Sequence, residues 1–418
     1  MSEATLVDMD TLASTAAPPV SRRTAAIVTL ALAVGSFGIG TGEFAIMGLL
    51  PQAAEGLHVS TPEAGHLISA YALGVVVGAP VIAVLAAKLP RRALLLLLML
   101  AFAGANGLSA LAPGYLSMIV ARFLAGLPHG AYFGVAALVA ASMVAPNRRA
   151  QAVGRVMLGL TVATLVGTPI TASLGQWFGW RAMFVLVGAI GAVTVGLLAL
   201  TLPRDRVKEG ASALTELGAF AQRQVWLTLA MAAVGFGGMF AVFSYIASTA
   251  TEVAGLSADW VPLILAVFGA GMVGGNVAGS WLADRSLMGT LAGMMSFNVA
   301  DLALFALTAQ HPVMLALCVF AVGFGVAIGP AVQTRLMDVA GDAQTLAAAS
   351  MHSAFNIANA LGAWLGGLAI AAGYGYASTG WVGALLGLGG LLIFVVSWRE
   401  EQAAVARRRE AAAAPCCA

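Results

Sequence analysis

The sequence predicts an all-α polytopic membrane protein with twelve transmembrane helices. Hydrophobic residues make up 60% of the 418-residue chain, charged residues make up only 9%, and the mean hydropathy is +0.94. A water-soluble shell cannot cover so much apolar surface. The 50 glycines are typical of membrane helices, where small residues let neighbours approach closely. A membrane β-barrel needs strands of alternating polarity, which runs such as 93–112 do not show.

The twelve helices are predicted by cutting the chain where charges, prolines or turn residues interrupt the apolar runs. A hydrocarbon core of ~30 Å requires ~20 helical residues. The predicted spans are 24–50, 66–87, 93–112, 117–143, 152–174, 181–202, 224–250, 260–283, 289–309, 312–337, 345–370 and 378–398.

The longest connection between spans divides the helices into two bundles of six. It carries Arg204, Asp205, Arg206, Lys208, Glu209 and Glu216. The predicted organisation is a disordered cytoplasmic N-terminus (1–23), an N-terminal six-helix bundle (24–202), a cytoplasmic linker (203–223), a C-terminal six-helix bundle (224–398) and a cytoplasmic tail (399–418).

The distribution of basic residues predicts the orientation. Of the 20 Lys and Arg residues, 18 fall in loops on one side of the predicted helices, and only Arg122 and Arg181 do not. Basic residues favour the cytoplasmic side. Both termini are therefore expected in the cytoplasm of a bacterial cell, with the chain in the cytoplasmic (inner) membrane.

Several function classes are excluded by missing motifs. An ATP-driven pump needs a phosphate-binding loop ending in Gly-Lys-Ser/Thr, but Lys88 and Lys208 lie in no such context. The five histidines show no pair at metal-ligand spacing. We therefore expect no enzyme activity, no metal, no nucleic-acid partner and no cofactor other than a proton gradient.

The two halves of the chain resemble one another weakly. An offset of 197 residues places Gly74 on Gly271, Gly78 on Gly275 and Lys88 on Arg285. Parallel repeats of this kind suit a transporter whose binding site lies between the repeats. A simple channel gains nothing from them.

Several motifs resemble those of the major facilitator superfamily. Gly275-Asn-Val-Ala-Gly279-Ser-Trp-Leu-Ala-Asp284-Arg285 resembles its loop motif after helix eight, and Gly78-Ala-Pro80 through Lys88-Leu-Pro-Arg91-Arg92 resembles the copy in the first half, with Ala87 in place of the acid. The resemblance implies the fold of that superfamily, with Gly78, Gly275, Gly279, Asp284 and Arg285 at an inner conformational gate.

Further motifs are similar to the drug:proton antiporters of that superfamily, in the subgroup of arabinose-efflux-like and chloramphenicol-efflux proteins. They are Thr41-Gly-Glu43-Phe44, Gly48-Leu-Leu-Pro51, Arg122 through Pro128-His129-Gly130, Gly159 through Gly167-Thr-Pro169, and Asn356-Ile-Ala-Asn359-Ala-Leu-Gly362. In the antiporter motif of helix five, Thr168, Ala172 and Ser173 replace glycines, so the direction of transport stays open. Gly167 and Pro169 should bend or tightly pack this helix, as part of the gate.

Glu43 is the leading candidate for the proton site, because an ionisable side chain within hydrocarbon usually marks function. Glu43 and Arg122 lie at similar depths, ~10 Å and ~8 Å from the outer ends of their helices. The resemblance places helices one and four together at the central cavity. Two interpretations are open: Glu43 carries the coupling proton, or Glu43 and Arg122 form a structural ion pair.

Asp301 is a second intramembrane acid, near the middle of helix nine. The resemblance places that helix at the periphery, which favours a packing contact over proton coupling. His129 is interpreted either as a substrate or proton contact or as a histidine bonded to a backbone carbonyl. The candidates for the substrate cavity are Thr41, Phe44, His129, Tyr132, Tyr245, Gln333, His352 and Asn356.

The predicted function is proton-coupled efflux of small, largely apolar compounds by alternating access. So few intramembrane charges suit neutral ligands such as amphenicol-type antibiotics, because an ionic substrate needs counter-charges. The alternatives are a sugar or metabolite exporter of the same fold and a non-coupled facilitator or channel. The expected partners are a small-molecule substrate, protons and the lipid bilayer, and the chain is expected to act as a monomer.

Overall fold

The computed structural model describes residues 21–59, 61–204 and 217–413. Within these ranges twelve helices are long and apolar enough to cross a membrane, which confirms the predicted class. We number them α1 to α12: Arg22–Phe44, His66–Leu85, Arg91–Leu111, Tyr115–Ser142, Pro146–Gly167, Ala182–Thr201, Arg223–Phe243, Leu263–Arg285, Leu287–Thr308, Pro312–Val339, Gln344–Tyr374 and Ser378–Arg407. Residues 1–20 of the predicted disordered N-terminus and 205–216 of the predicted linker lie outside the described residues, whereas Arg22 and Arg23 already belong to α1.

Helix ends differ from the predicted spans where glycine or proline interrupts the backbone. The first span was predicted to run to residue 50, but α1 ends at Phe44 and a 3-10 turn, Ala45–Leu49, leads into a separate helix, Leu50–Leu57. The last turn of α5, Ala163–Gly167, is a π turn that leads into the helix Thr168–Phe178, which has Pro169 in its first turn. Proline lacks the backbone N–H that a regular helix would need there.

The last helix is longer than its predicted span, and it continues beyond the membrane span of α12 to Ala413. Two ion pairs attach the extra turns to the rest of the bundle. Arg335 in α10 donates to both carboxylate oxygens of Glu401 at 2.8 and 3.0 Å, and Arg223 at the start of α7 lies 2.6 Å from Glu400. These contacts explain why a polar segment stays helical beyond the apolar run.

Glycines bring helices into backbone contact within each half. A Cβ added to Gly74 in α2 would clash with the carbonyl of Phe123 in α4, and one on Gly126 would clash with the carbonyl of Tyr71. Small residues at such positions let backbones pack directly against each other. The α2–α4 contact therefore depends on these two glycines.

The second half repeats this packing at the offset found in the sequence. Gly271 in α8 meets the carbonyl of Phe320 in α10, and Gly323 meets that of Phe268. Each of these residues lies 197 positions after its counterpart in the α2–α4 pair. The two halves are thus structural repeats in their contacts as well as in their glycines.

The interface between the halves is formed by two sets of helices. The helices α2 and α4 pack against α11, while α5 packs against α8 and α10. We call the end of the molecule that carries Arg22, Arg148, Arg285 and Arg399 the basic end. It is the end that the distribution of basic residues predicts to be cytoplasmic.

Candidate functional site

A small cavity lies at the centre of the molecule, between the two halves. Its volume of about 20 Å³ is room for roughly one water molecule. Six helices contribute to it: α1, α4, α5, α8, α10 and α11. The lining residues are Glu43, His129, Phe133, Met157, Leu160, Thr161, Asn276, Val326, Gly329, Met351, His352 and Phe355.

Glu43 is the charged residue of this lining, and it lies one residue before the end of α1. Its side chain is buried, and so is that of Arg122 in α4. No ion pair joins the two in the described structure. Arg122 instead places its guanidinium carbon 4.4 Å from the centroid of the Tyr71 ring and donates from Nε to the carbonyl of Leu67 at 3.4 Å.

The two Nη atoms of Arg122 are buried without a hydrogen-bond acceptor among the described residues. A buried guanidinium is expensive unless its donors are satisfied. The aromatic faces of Tyr71 and Phe184 stabilise the charge partly through cation–π contacts. Arg122 therefore keeps unused hydrogen-bonding capacity close to the cavity.

A chain of polar side chains leads from Tyr71 across the interface between the halves. The Tyr71 hydroxyl lies 3.1 Å from His129 Nδ1, and His129 Nε2 lies 3.3 Å from His352 Nδ1 in α11. In one consistent arrangement each neutral imidazole accepts at Nδ1 and donates at Nε2. Phe133 stacks on His352, with ring centroids 4.2 Å apart. The two histidines thus join the N-terminal half to the C-terminal half.

Toward the basic end, the carboxylate of Asp284 closes the interface. Its Oδ1 accepts from the backbone N–H of Ala150 at 2.8 Å, and its Oδ2 accepts from that of Gln151 at 2.9 Å. These N–H groups belong to the first turn of the α-helical part of α5, Arg149–Val162, where free donors and the helix dipole favour a negative charge. Arg285 does not pair with Asp284, because its guanidinium stacks on Trp281 at 3.2 Å.

Three further contacts at this interface were not predicted. Asn276 in α8 donates to the carbonyl of Gly154 in α5 at 2.7 Å. Gly154 also packs so closely on Ser280 that an added Cβ would clash with it. Finally, the guanidinium of Arg149 lies 3.6 Å from the carboxylate of Asp338. Asn276 and Ser280 stand inside the motif quoted above, which was the available sequence indication. The halves are therefore tightly apposed between the cavity and the basic end.

Of the eight residues predicted for the substrate cavity, the structure places His129 and His352 in its lining. The others make packing contacts elsewhere. Thr41, Tyr132, Tyr245, Gln333 and Asn356 donate to the carbonyls of Phe37, Leu32, Ala363, Ala348 and His352 respectively. Phe44 is half-buried against the main hydrophobic core.

Asp301 lies away from the cavity, in α9. Its carboxyl group is buried, and its Oδ2 has no hydrogen-bond partner among the described residues. Cys318 of α10 lies close to it and also approaches the Thr308 hydroxyl at 3.8 Å. This position is consistent with the peripheral location expected for helix nine.

The predicted gate residues make contacts either between the two halves or within one half. Asp284 lies between the halves, whereas Gly78, Gly275 and Gly279 pack against α4 or α10 within their own half. Gly167 lies against Thr41 and Phe37 of α1, and Pro169 is in the first turn of the following helix. These contacts make the glycines parts of the rigid halves.

Known proteins are similar in sequence to this chain over most of its length. A model of the Major Facilitator Superfamily matches residues 32–300. The chain belongs to this superfamily. It is 38% identical over 375 residues to the inner membrane transport protein YdhP of Escherichia coli K12, covering 89% of this chain and 96% of that protein.

Two other superfamily relatives carry more specific names. The putative transporter AraJ of Escherichia coli K12 is 32% identical over 380 residues, covering 90% of this chain and 96% of that protein. A chloramphenicol resistance protein of Streptomyces lividans is 33% identical over 336 residues, covering 79% and 86%. The expected superfamily is confirmed.

Solved transporters of the superfamily share the fold. A variant of the Escherichia coli fucose:proton symporter FucP aligns with a TM-score of 0.72 at 16% identity, covering 90% of this chain and 99% of that one. The proton:xylose symporter XylE aligns with a TM-score of 0.72 at 15% identity, covering 89% and 95%. These structures show the fold, while the family match, the relatives and the twelve apolar helices make the protein a multi-pass membrane transporter of this superfamily.

Proposed function

We propose that the protein exports small, largely apolar compounds, amphenicol-type antibiotics among them, in exchange for protons. The observation that carries this proposal is Glu43, a buried acid that lines the central cavity between the two halves. An intramembrane carboxyl group at that position gives proton and cargo a common place to compete. A non-coupled facilitator has no need of it.

The cavity is too small for a drug while the halves are closed, but its lining supports an apolar cargo once they move apart. Phe133, Met157, Met351 and Phe355 supply aromatic and thioether surface, and Met adapts its shape to different ligands. His129, Asn276 and Thr161 offer a few polar contacts for orientation. The similarity to a chloramphenicol resistance protein supports amphenicols as the first compounds to test.

The unpaired state of Arg122 supports a proton cycle. In this cycle the Glu43 carboxyl group holds a proton while it is apart from the guanidinium. It releases the proton when rearrangement brings the two together, because a neighbouring positive charge stabilises the ionised form. A permanent ion pair would leave no such switch, and the described structure has none between these residues.

Alternating access is proposed to proceed through the contacts of Asp284. The structure is closed toward the basic end, and opening there requires the carboxylate to leave the N–H groups of Ala150 and Gln151. We further propose that the protein works as a monomer without a cofactor in the bacterial inner membrane. The basic end would face the cytoplasm, as its arginines suggest.

The decisive experiment measures proton flux in proteoliposomes that contain a pH-sensitive dye. Wild type and Glu43→Gln are compared with a panel of amphenicols, other lipophilic drugs and simple sugars. We expect an amphenicol-dependent proton signal in wild type and its loss, by at least about tenfold, in Glu43→Gln, because the amide cannot carry a proton.

The matched control is Asp301→Asn, which neutralises the buried acid that lies away from the cavity. This variant should retain the coupled signal, since its side chain does not line the site. Transport without a proton signal in wild type would instead indicate a facilitator, and a signal only with sugars would indicate a sugar exporter. Normal coupling in Glu43→Gln would disprove the proton role of Glu43.

A further inference from the structure

A groove runs along the surface between the membrane-spanning helices α1 and α5, which places it against lipid in a membrane. Its volume is about 530 Å³, and its lining is almost entirely apolar, with Leu30, Val34, Phe37, Leu158 and Val162 among the residues. On α1 it extends from Ala26 to Phe37, which is ~16 Å at 1.5 Å per residue. One leaflet of a membrane has a hydrocarbon thickness of ~15 Å. The groove therefore has the length of one leaflet.

A second cavity of about 490 Å³ continues the groove at the basic end. The two share Ala26, Thr29 and Arg155 in their linings. This cavity is lined by three arginines, Arg22, Arg148 and Arg155, and by no acidic residue among those the structure describes. A strongly positive pocket thus lies at the mouth of an apolar groove.

The three arginines of this cavity have no counter-charge, unlike three other arginines at the same end. Arg149, Arg223 and Arg335 pair with carboxylates, whereas Arg22, Arg148 and Arg155 form no ion pair with the residues that the structure describes. All three side chains are exposed. Their guanidinium groups are free to bind an anion that comes from outside the protein.

We propose that this composite site binds an anionic phospholipid. The phosphate of the headgroup lies among Arg22, Arg148 and Arg155, and one acyl chain lies in the groove between α1 and α5. Basic pockets next to membrane helices attract anionic headgroups, and the groove excludes a purely soluble anion from most of the site. A peptide partner is disfavoured because the groove faces the lipid phase.

The position of the site gives the lipid a role in the conformational cycle. Arg148 and Arg155 flank Ala150 and Gln151, whose N–H groups hold Asp284 of the other half. A headgroup bound there neutralises the positive charge of this segment and braces the start of α5. The lipid contact is thus adjacent to the contact that closes the basic end.

The test is native mass spectrometry of the full-length protein in detergent, titrated with phosphatidylglycerol or with phosphatidylcholine of the same chains. We expect wild type to bind phosphatidylglycerol at least about 30-fold more tightly than phosphatidylcholine. The double variant Arg148→Gln/Arg155→Gln should bind it about 30-fold more weakly than wild type, at ~1 kcal/mol per basic residue. Binding of phosphatidylcholine should change little.

The charge-matched control is Arg204→Gln/Arg399→Gln, which removes two exposed arginines elsewhere. It should bind phosphatidylglycerol within about twofold of wild type. A second variant, Ala33→Trp, fills the groove and should weaken lipid binding while leaving all arginines in place. Thermal unfolding of each variant checks that it is folded.

Three results would overturn the proposal. Equal loss in the two double variants would reduce it to general surface attraction, and equal binding of both lipids by wild type would remove the headgroup preference. Unchanged binding in Ala33→Trp, together with displacement of the lipid by inorganic phosphate, would leave an anion pocket without a lipid groove.

Discussion

At the scale of a single residue, Arg122 distinguishes the central cavity from an ordinary hydrophobic core. Its side chain has no exposed surface, and its two Nη atoms find no acceptor in the described structure. Each unsatisfied buried donor costs ~1–3 kcal/mol. Core packing alone would favour an apolar residue of similar volume there. The retained charge is consistent with the functional role proposed for Glu43 and Arg122.

Tyr71 makes two separable contacts with this site. Tyr71→Phe keeps the aromatic face under Arg122 but removes the hydroxyl near His129, and should lower the free energy of unfolding by ~0.5–1.5 kcal/mol. Tyr71→Leu also removes the cation–π contact and should lower the free energy of unfolding by a further ~0.5–2 kcal/mol. Denaturant unfolding in detergent measures both. Equal losses in the two variants would mean that the ring contact contributes nothing.

At the scale of the helix, the glycines of α2 and α8 determine how closely neighbouring helices pack. In a membrane the hydrophobic effect does not drive helices together, so close packing has to supply the attraction. Gly74 and Gly271 each allow a helix to touch the backbone of the partner two helices later. Each half is therefore a closely packed unit.

Replacing these glycines by alanine should destabilise the half that contains them, whereas the same replacement at a glycine without close neighbours should not. We expect Gly74→Ala and Gly271→Ala each to lower the free energy of unfolding by ~1–3 kcal/mol, because the added methyl group overfills a backbone contact. The control is Gly104→Ala in α3, where nothing lies within 4 Å of the added Cβ. It should be neutral or stabilising by up to ~1 kcal/mol. Thermal unfolding followed by intrinsic fluorescence distinguishes the outcomes, and equal behaviour of all three would contradict the packing argument.

At the scale of the whole molecule, the conformation depends on contacts between the halves. Asp284 with Ala150 and Gln151, Asn276 with Gly154, and His129 with His352 all cross the interface. Rigid halves joined by a few polar contacts can rock against one another when those contacts break. The described structure is the form in which the basic end is closed.

Asp284→Ala should open the basic end. It removes two charge-assisted hydrogen bonds, and a loss of ~2–3 kcal/mol raises the open population by at least about tenfold. Distances between spin labels at Ala145 and Gln402, in a chain whose three native cysteines are replaced by serine, report the opening. Arg285→Gln is the control, because that side chain stacks on Trp281 and forms no ion pair with Asp284 in the described structure. Unchanged label distances in Asp284→Ala would show that other contacts hold the interface.

The sequence predicted the helices because hydrophobic length is a local property. Twelve apolar runs, their charged ends and the offset of 197 residues can all be read along the chain, and the structure reproduces them. Departures such as the early end of α1 at Phe44 arise at glycines and prolines, where several backbone paths remain possible.

The sequence also marked Glu43, Arg122 and His129 as unusual, since polar residues in hydrocarbon are costly wherever they lie. It did not determine where their side chains point. Tyr245 and Gln333 were candidates for the cavity alongside His352, yet each donates to a neighbouring helix instead.

Tertiary structure alone decided which distant residues meet. His129 and His352 are separated by 223 positions, and Gly154 contacts Ser280 only because α5 packs against α8. Spacing along one helix fixes its faces but not the rotation of that helix against a neighbour from the other half. The sequence by itself therefore determined the membrane helices and their repeat, while the packing of one half on the other decided the cavity, its polar chain and the closed basic end.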